Sequence, residues 1–210
     1  MRPLEGHISR AFDGALGALH LHVVAMGSLA VDQVRAAVRA YGSWDRGLAR
    51  TVIEREQAVN AYDDAVDEEQ LALLARRQPV ASDLRYVIAF SKAVAELERV
   101  GDEAKKIART VLEDDAPSAV DDIVALGSRA ESLLRRSLEA FDTLDIAQCA
   151  EIVAADKQLD RQYDGAMQRL LAAAAPDVPA FRRAVHAAFV LKSLERIGDH
   201  ARNIARLLEE

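Results

Sequence analysis

The chain has 210 residues, a formal net charge of −7, and half of its side chains are hydrophobic, with only 10 glycines and 5 prolines. Residues 1–110 carry 15 basic and 16 acidic side chains and residues 111–210 carry 12 and 18, so the deficit lies in the second half. An acidic chain without a basic cluster excludes the nucleic-acid binders, whose affinity comes mostly from neutralising phosphates. The single cysteine, Cys149, excludes a disulfide framework within the chain. No uninterrupted apolar run approaches the length of a membrane span, and Glu5, His7, Arg10 and Asp13 interrupt any signal-peptide core. The expectation is a cytoplasmic protein.

Abundant Ala and Leu with little Gly and Pro predict long helices. The first runs from about Ile8 to Ala40, with Phe12, Leu16, Leu19, Val23, Met26 and Ala30 on one face. His20 and His22 are two apart and point in nearly opposite directions, so they do not share a ligand. Gly42 ends this helix, and Ser43 or Asp45 caps a second that runs to about Arg77, where Gln78-Pro79 stops it. Ser82 or Asp83 opens a third helix with a seam at Ala93, Leu97, Val100, Ala104, Ile107 and Val111. Residues 113–118, EDDAPS, are the most linker-like stretch. They separate a first unit, 1–114, from a second, 117–210.

The second unit repeats the plan. A fourth helix spans about 119–141, a turn at Asp142–Asp145 comes next, and a fifth helix extends to about Ala174. After a turn at Pro176–Pro179, the sixth helix carries Val190, Leu194, Ile197, Ala201, Ile204 and Leu208, the third helix's seam displaced by 97 residues. The reading is an all-α fold: two three-helix bundles of long antiparallel helices in tandem.

The duplication is sharpest in one phrase. Residues 97–108 read LERVGDEAKKIA and residues 194–205 read LERIGDHARNIA, identical at eight of twelve positions. Each copy holds two acids four residues apart, Glu98 with Asp102 and Glu195 with Asp199. Like charges at that spacing on a helix destabilise by a few tenths of a kcal/mol, and a bound cation is the simplest compensation. Helical geometry puts Glu195 and Asp199 about 140–180° from the centre of the seam, which predicts a site on the surface or in a shallow groove. The preceding helices carry a second pair, Asp156 with Asp160 in DKQLDRQYD, matched by Glu56 and Asn60 in EREQAVN. Four carboxylates in the second half, and three with an amide oxygen in the first, form oxygen-rich sets suited to hard cations such as Mg²⁺, Mn²⁺, Ca²⁺ or Fe³⁺. The plainer alternative is solvated acids paired with nearby Arg and Lys. Di-iron bundle chemistry needs a Glu-x-x-His motif on two helices, and the chain contains none. No P-loop or dinucleotide glycine motif is present either, so the reading is a non-enzyme.

These motifs, ERVGDEAKKIA and ERIGDHARNIA, together with RQPVASDLRYVIAFSKAVAELERVGDEAKKIA at 77–108 and DKQLDRQYD at 156–164, resemble the PhoU family of bacterial phosphate-signalling proteins. The resemblance covers essentially the whole chain. It implies two three-helix bundles and a negative regulator of phosphate uptake and phosphate-starvation signalling. It implies as partners the ATPase subunit of the phosphate ABC transporter and a phosphate sensor histidine kinase, with the membrane reached only through them; a homodimer is compatible with it. It also implies metal, Mg, Mn, Fe or Zn, at the repeated motifs, here Glu98, Asp102 and Glu56 in one half and Glu195, Asp199, Asp156 and Asp160 in the other. Asn60 departs from the pattern, so the second-half site is expected to bind metal more tightly. A metal-dependent phosphohydrolase and a ligand-free helical scaffold are the alternatives.

Overall fold

The computed structural model of the chain describes residues 10–77, 82–173 and 177–209, with the side chains of 10–13, 56–61, 63–65, 67, 76–77 and 82–83 outside the description. Its regular elements are all helices: α1 Arg10–Ser43, α2 Arg46–Arg77, α3 Ser82–Glu113, α4 Val120–Thr143, a 3₁₀ turn Ile146–Gln148, α5 Cys149–Ala172 and α6 Val178–Arg206. The expected turn at Gln78–Pro79 and most of that at Pro176 lie outside the described residues. Pro179 is already in the first turn of α6, behind an Asp177 cap that accepts from the Ala180 amide at 2.8 Å.

Both predicted seams are core. Leu97, Val100, Ala104 and Ile107 on α3, and Leu194, Ile197, Ala201 and Ile204 on α6, have no exposed surface. α1 is apolar enough over Gly14–Ser43 to cross a membrane by length and composition. Its place in the fold accounts for that composition: it packs against α2, α3 and α4 and buries Leu16, Leu19, Val23, Met26 and Tyr41.

The helix ends repeat as faithfully as the seams. Trp44 (φ 53°) and Leu144 (φ 55°), 100 residues apart, both adopt the left-handed conformation. In each case the next amide closes a six-residue loop, Asp45 N to Ala40 O and Asp145 N to Ala140 O, both at 2.9 Å. Asp45 then caps α2 and Asp145 the 3₁₀ turn, accepting from the Leu48 and Ala147 amides at 3.0 Å. The expectation that Gly42 ends α1 is corrected. Gly42 is helical, and a Cβ there would lie 2.9 Å from Val124 Cγ2 of α4, so its small size serves close packing.

The two bundles share one core rather than sitting side by side: α1 packs on α4 and α3 on α6, each pair antiparallel. The α1–α4 contact is reciprocal. Gly27 faces Leu138 and Gly127 faces Val38, where an added Cβ would come within 2.7 and 2.5 Å of the opposing side chains. Both members of each pair recur 100 residues on, so the contact is its own mate under a pseudo-twofold axis. Residues 113–118 are correspondingly no slack linker. Asp114 is 2% exposed, its carboxylate bonds His186 at 2.7 Å, and its carbonyl accepts from Arg46 at 2.6 Å. The Tyr41 hydroxyl donates to the Ser118 carbonyl at 2.8 Å.

Candidate functional site

In the second half, α5 lies along α6 so that Asp160 on α5 feels the charges of Asp156 on its own helix and of Glu195 and Asp199 on α6. Gly198 makes this approach possible: a Cβ there would press on Leu159 at 3.1 Å and on the Asp156 carboxylate at 3.4 Å. Glu195 and Asp199 lie half-buried beside α5. α6 packs against α3, α4 and α5, and α5 approaches it at Gly198 and Arg202. The side chains of Glu195 and Asp199 are 15% and 35% exposed, and Asp156 is 1% exposed.

Two of these carboxylates, one on each helix, are held by a single cation. Arg202 Nη1 stands 2.6 Å from Asp156 Oδ2 and 2.7 Å from Asp199 Oδ1. Burial pulls the Arg202 guanidinium down, but the hydrogen bond and charge of Asp156 and the charge of Asp199 hold it above its ordinary value. Lys192, 5.6 Å from the Tyr163 ring centroid, pairs with Glu195 at 2.6 Å and is raised chiefly by that hydrogen bond. Asp160 has no such support. Burial first, then the charges of Asp156, Asp199 and Glu195, push its carboxyl above the usual range, with only Arg202 opposing. The second Asp156 oxygen, Oδ1, is buried without a hydrogen-bond partner.

As the side chains stand, no three Asp, Glu, His or Cys groups among the described residues encircle a common point. The donor set still suits a hard cation. Unsupported negative charge at Asp160 and a spare buried oxygen on Asp156 are what a small divalent ion would satisfy. In the first half, Glu98 and Asp102 are half-buried on α3. Glu56 is on α2, which packs along α3, but its side chain and that of Asn60 lie outside the described residues.

A second constellation, along the α3–α6 crossing, escaped the sequence reading. Glu96 accepts from Asn203 at 3.1 Å and bonds His200 at 2.7 Å; Glu103 accepts from Lys106 at 2.8 Å and from Arg196 at 3.1 Å. Burial would raise both carboxyls, but His200 and Asn203 around Glu96, and Lys106, Ser193 and Arg196 around Glu103, bring both below the usual range. The signal was available in the doubled phrase. Its two pairs that change character, Glu103/His200 and Lys106/Asn203, have all four members at this crossing, where His200 and Asn203 face Glu96 and Lys106 pairs with Glu103. A symmetric repeat would set Glu against Glu there.

A duplicated three-helix bundle, bearing the same acidic motif at the same place in each half and fused through its first and third helices, defines a tandem-repeat helical protein of one recognised architecture. The family model of the PhoU domain matches the chain twice, over residues 23–111 and 123–208. The chain belongs to the PhoU family. It is 40% identical over 209 residues to the phosphate-specific transport system accessory protein PhoU homolog of Pseudomonas aeruginosa, covering 98% of this chain and 86% of that one. Against the phosphate-specific transport system accessory protein PhoU of Escherichia coli it is 37% identical with the same coverage. The crystal structure of PhoU from Pseudomonas aeruginosa superposes with a TM-score of 0.89, covering 94% of this chain and 96% of that one. The phosphate transport system regulatory protein PhoU from Streptococcus pneumoniae gives 0.86 at 27% identity, covering 94% of each chain.

Proposed function

We propose that the chain is a non-enzymatic regulator of phosphate uptake that also restrains phosphate-starvation signalling. It works in the cytoplasm as an adaptor. It docks on the ATPase subunit of a phosphate ABC transporter and on the cytoplasmic part of a phosphate sensor histidine kinase, and it reaches the membrane only through them. The observation that carries this reading is that both halves align, over nearly the whole chain, with accessory proteins of phosphate-specific transport.

The residues supply binding and rigidity. Asp156, Asp160, Glu195 and Asp199 would hold a divalent or ferric ion in the second half, and Glu98, Asp102 and Glu56 in the first. The ion, when bound, supplies positive charge that neutralises the carboxylates and fixes α5 against α6. Arg202 does part of this work from within the chain by tying Asp156 to Asp199. The shared core joins the two halves by packed side chains, a physical route by which a partner bound to one half would be felt by the other.

The test is a starvation-promoter reporter in a strain lacking the chain. The reporter should be on at high phosphate, silenced by the wild-type chain, and only weakly silenced by Glu195→Ala/Asp199→Ala. A reporter that stays off in the deletion strain rejects the regulatory reading.

A further inference from the structure

The α3–α6 crossing has a surface as well as an interior. One cavity there, about 470 Å³, is lined by Lys106, Arg109, Phe189 and Arg196 among others; the next, about 380 Å³, adds Arg99 and Arg202. They share Glu103, Lys106 and Arg196, so they form one channel. From Arg99 to Glu113 the channel runs along α3 for fourteen residues, about 21 Å at the helical rise, roughly four turns of a helix.

Its charge runs against the rest of the molecule. Arg99, Lys106, Arg109 and Arg196 are all exposed along it, in a chain whose net charge is −7. Arg99 also touches Glu96 at 3.2 Å, while Lys192 and Arg202, which line it too, are taken up by Glu195 and by Asp156 and Asp199. The acid at its centre faces inward: the Glu103 side chain is 5% exposed, while Lys106 and Arg196, both bonded to it, are 51% and 54% exposed. Buried Glu103 therefore acts as a clamp that presents two cations to solvent in fixed positions. Arg109 makes no ion pair among the described residues, and the Phe189 ring is 66% exposed at one end.

We propose that this channel is the docking site for an acidic amphipathic helix of a partner protein, with its apolar side on Phe189 and its carboxylates on Arg99, Lys106, Arg109 and Arg196. The length suits a helix laid in a groove, and the charge selects an acidic one. The inference rests on the adaptor reading and names the surface it uses.

The experiment places the photo-crosslinking residue p-benzoylphenylalanine at 189, or at exposed Arg129 on the outside of α4, in phosphate-replete cells. Adducts at 189 should map to an Asp/Glu-rich helix of a transporter or kinase subunit, with none at 129. With that partner purified, Arg99→Glu/Arg109→Glu should weaken binding by roughly tenfold or more and flatten its salt dependence. Arg129→Glu/Arg135→Glu should leave binding unchanged. Phe189→Ala, at an exposed position that leaves the fold intact, should also weaken it. The proposal is overturned by an adduct to a second copy of this chain, by an adduct to a basic or non-helical segment, by no adduct at 189, or by binding that ignores Arg99→Glu/Arg109→Glu. Each of these leaves the adaptor reading standing, because that reading fails separately, when the starvation reporter stays off without the chain.

Discussion

Arg202→Met is the most informative single change at the acidic site. It keeps the length of the side chain and removes the cation that stands 2.6 Å from Asp156 and 2.7 Å from Asp199. Asp199 is 35% exposed, so solvent screens its loss to no more than about 1 kcal/mol. Asp156 is 1% exposed and its other oxygen has no partner, so the change strands a buried carboxylate. Removing one partner of a buried pair costs about 3–5 kcal/mol, which lowers Tm by about 10 °C in a chain of this size. An unpaired buried carboxylate is driven toward its protonated form. A carboxyl held above its unfolded range destabilises at high pH and ceases to do so as pH falls, so the loss should be largest at pH 8 and shrink by pH 5. Urea unfolding across that range, beside Asp156→Leu/Arg202→Met, is the assay; the double variant should recover most of the loss. Adding Mn²⁺ should stabilise Arg202→Met, by about 2.7 kcal/mol at a hundred times its dissociation constant. A loss below about 1 kcal/mol at pH 8, or one independent of pH, refutes the assignment of Arg202 as the counter-ion of Asp156.

Two further changes probe the site and the seam between the halves. Because Asp160 is raised by burial and by three neighbouring acids, its ionised form costs stability at neutral pH. In metal-free buffer Asp160→Asn should raise Tm at pH 7 and lose that advantage near pH 4, while elemental mass spectrometry should show less bound metal than in wild type; a lower Tm at pH 7 would contradict the reasoning. Gly127→Ala meets the stiff, β-branched Val38 within 2.5 Å. Its helix-propensity gain of up to about 1 kcal/mol is outweighed by an overpacking cost of about 1–3 kcal/mol. Gly27→Ala meets the mobile end of Leu138 and should be nearly neutral in thermal unfolding. Equal effects at both positions would contradict the distinction between stiff Val38 and yielding Leu138.

Much of the architecture was legible. The seams of α3 and α6 are read directly from steps of three and four; residue type and place narrowed the α2 cap to Ser43 or Asp45, and the structure shows Asp45. The carboxylate pairs were legible as pairs, through repetition, but their surroundings were not. Periodicity placed Glu195 and Asp199 off the seam, on the surface or in a shallow groove, and they are half-buried. α6 has three neighbours, and periodicity along one chain segment carries no count of what packs against it. The acidic stretch at 113–118 lies between the two family-model matches, but its contacts were not legible: Asp114 reads as linker composition until His186 and Arg46, distant in sequence, arrive to hold it.

By itself the sequence determined the helices, their order, the duplication and the presence of acidic pairs, because each is written in spacings of a few residues or in a repeated phrase. The tertiary structure alone decided that the two bundles fuse through Gly27–Leu138 and Gly127–Val38. It also decided that Arg202 bridges α5 and α6, and that the divergent positions of the repeat gather at the α3–α6 crossing. Those outcomes depend on which helix lies against which. That choice is made by shape and charge complementarity between segments roughly a hundred residues apart, and a local pattern holds no record of it.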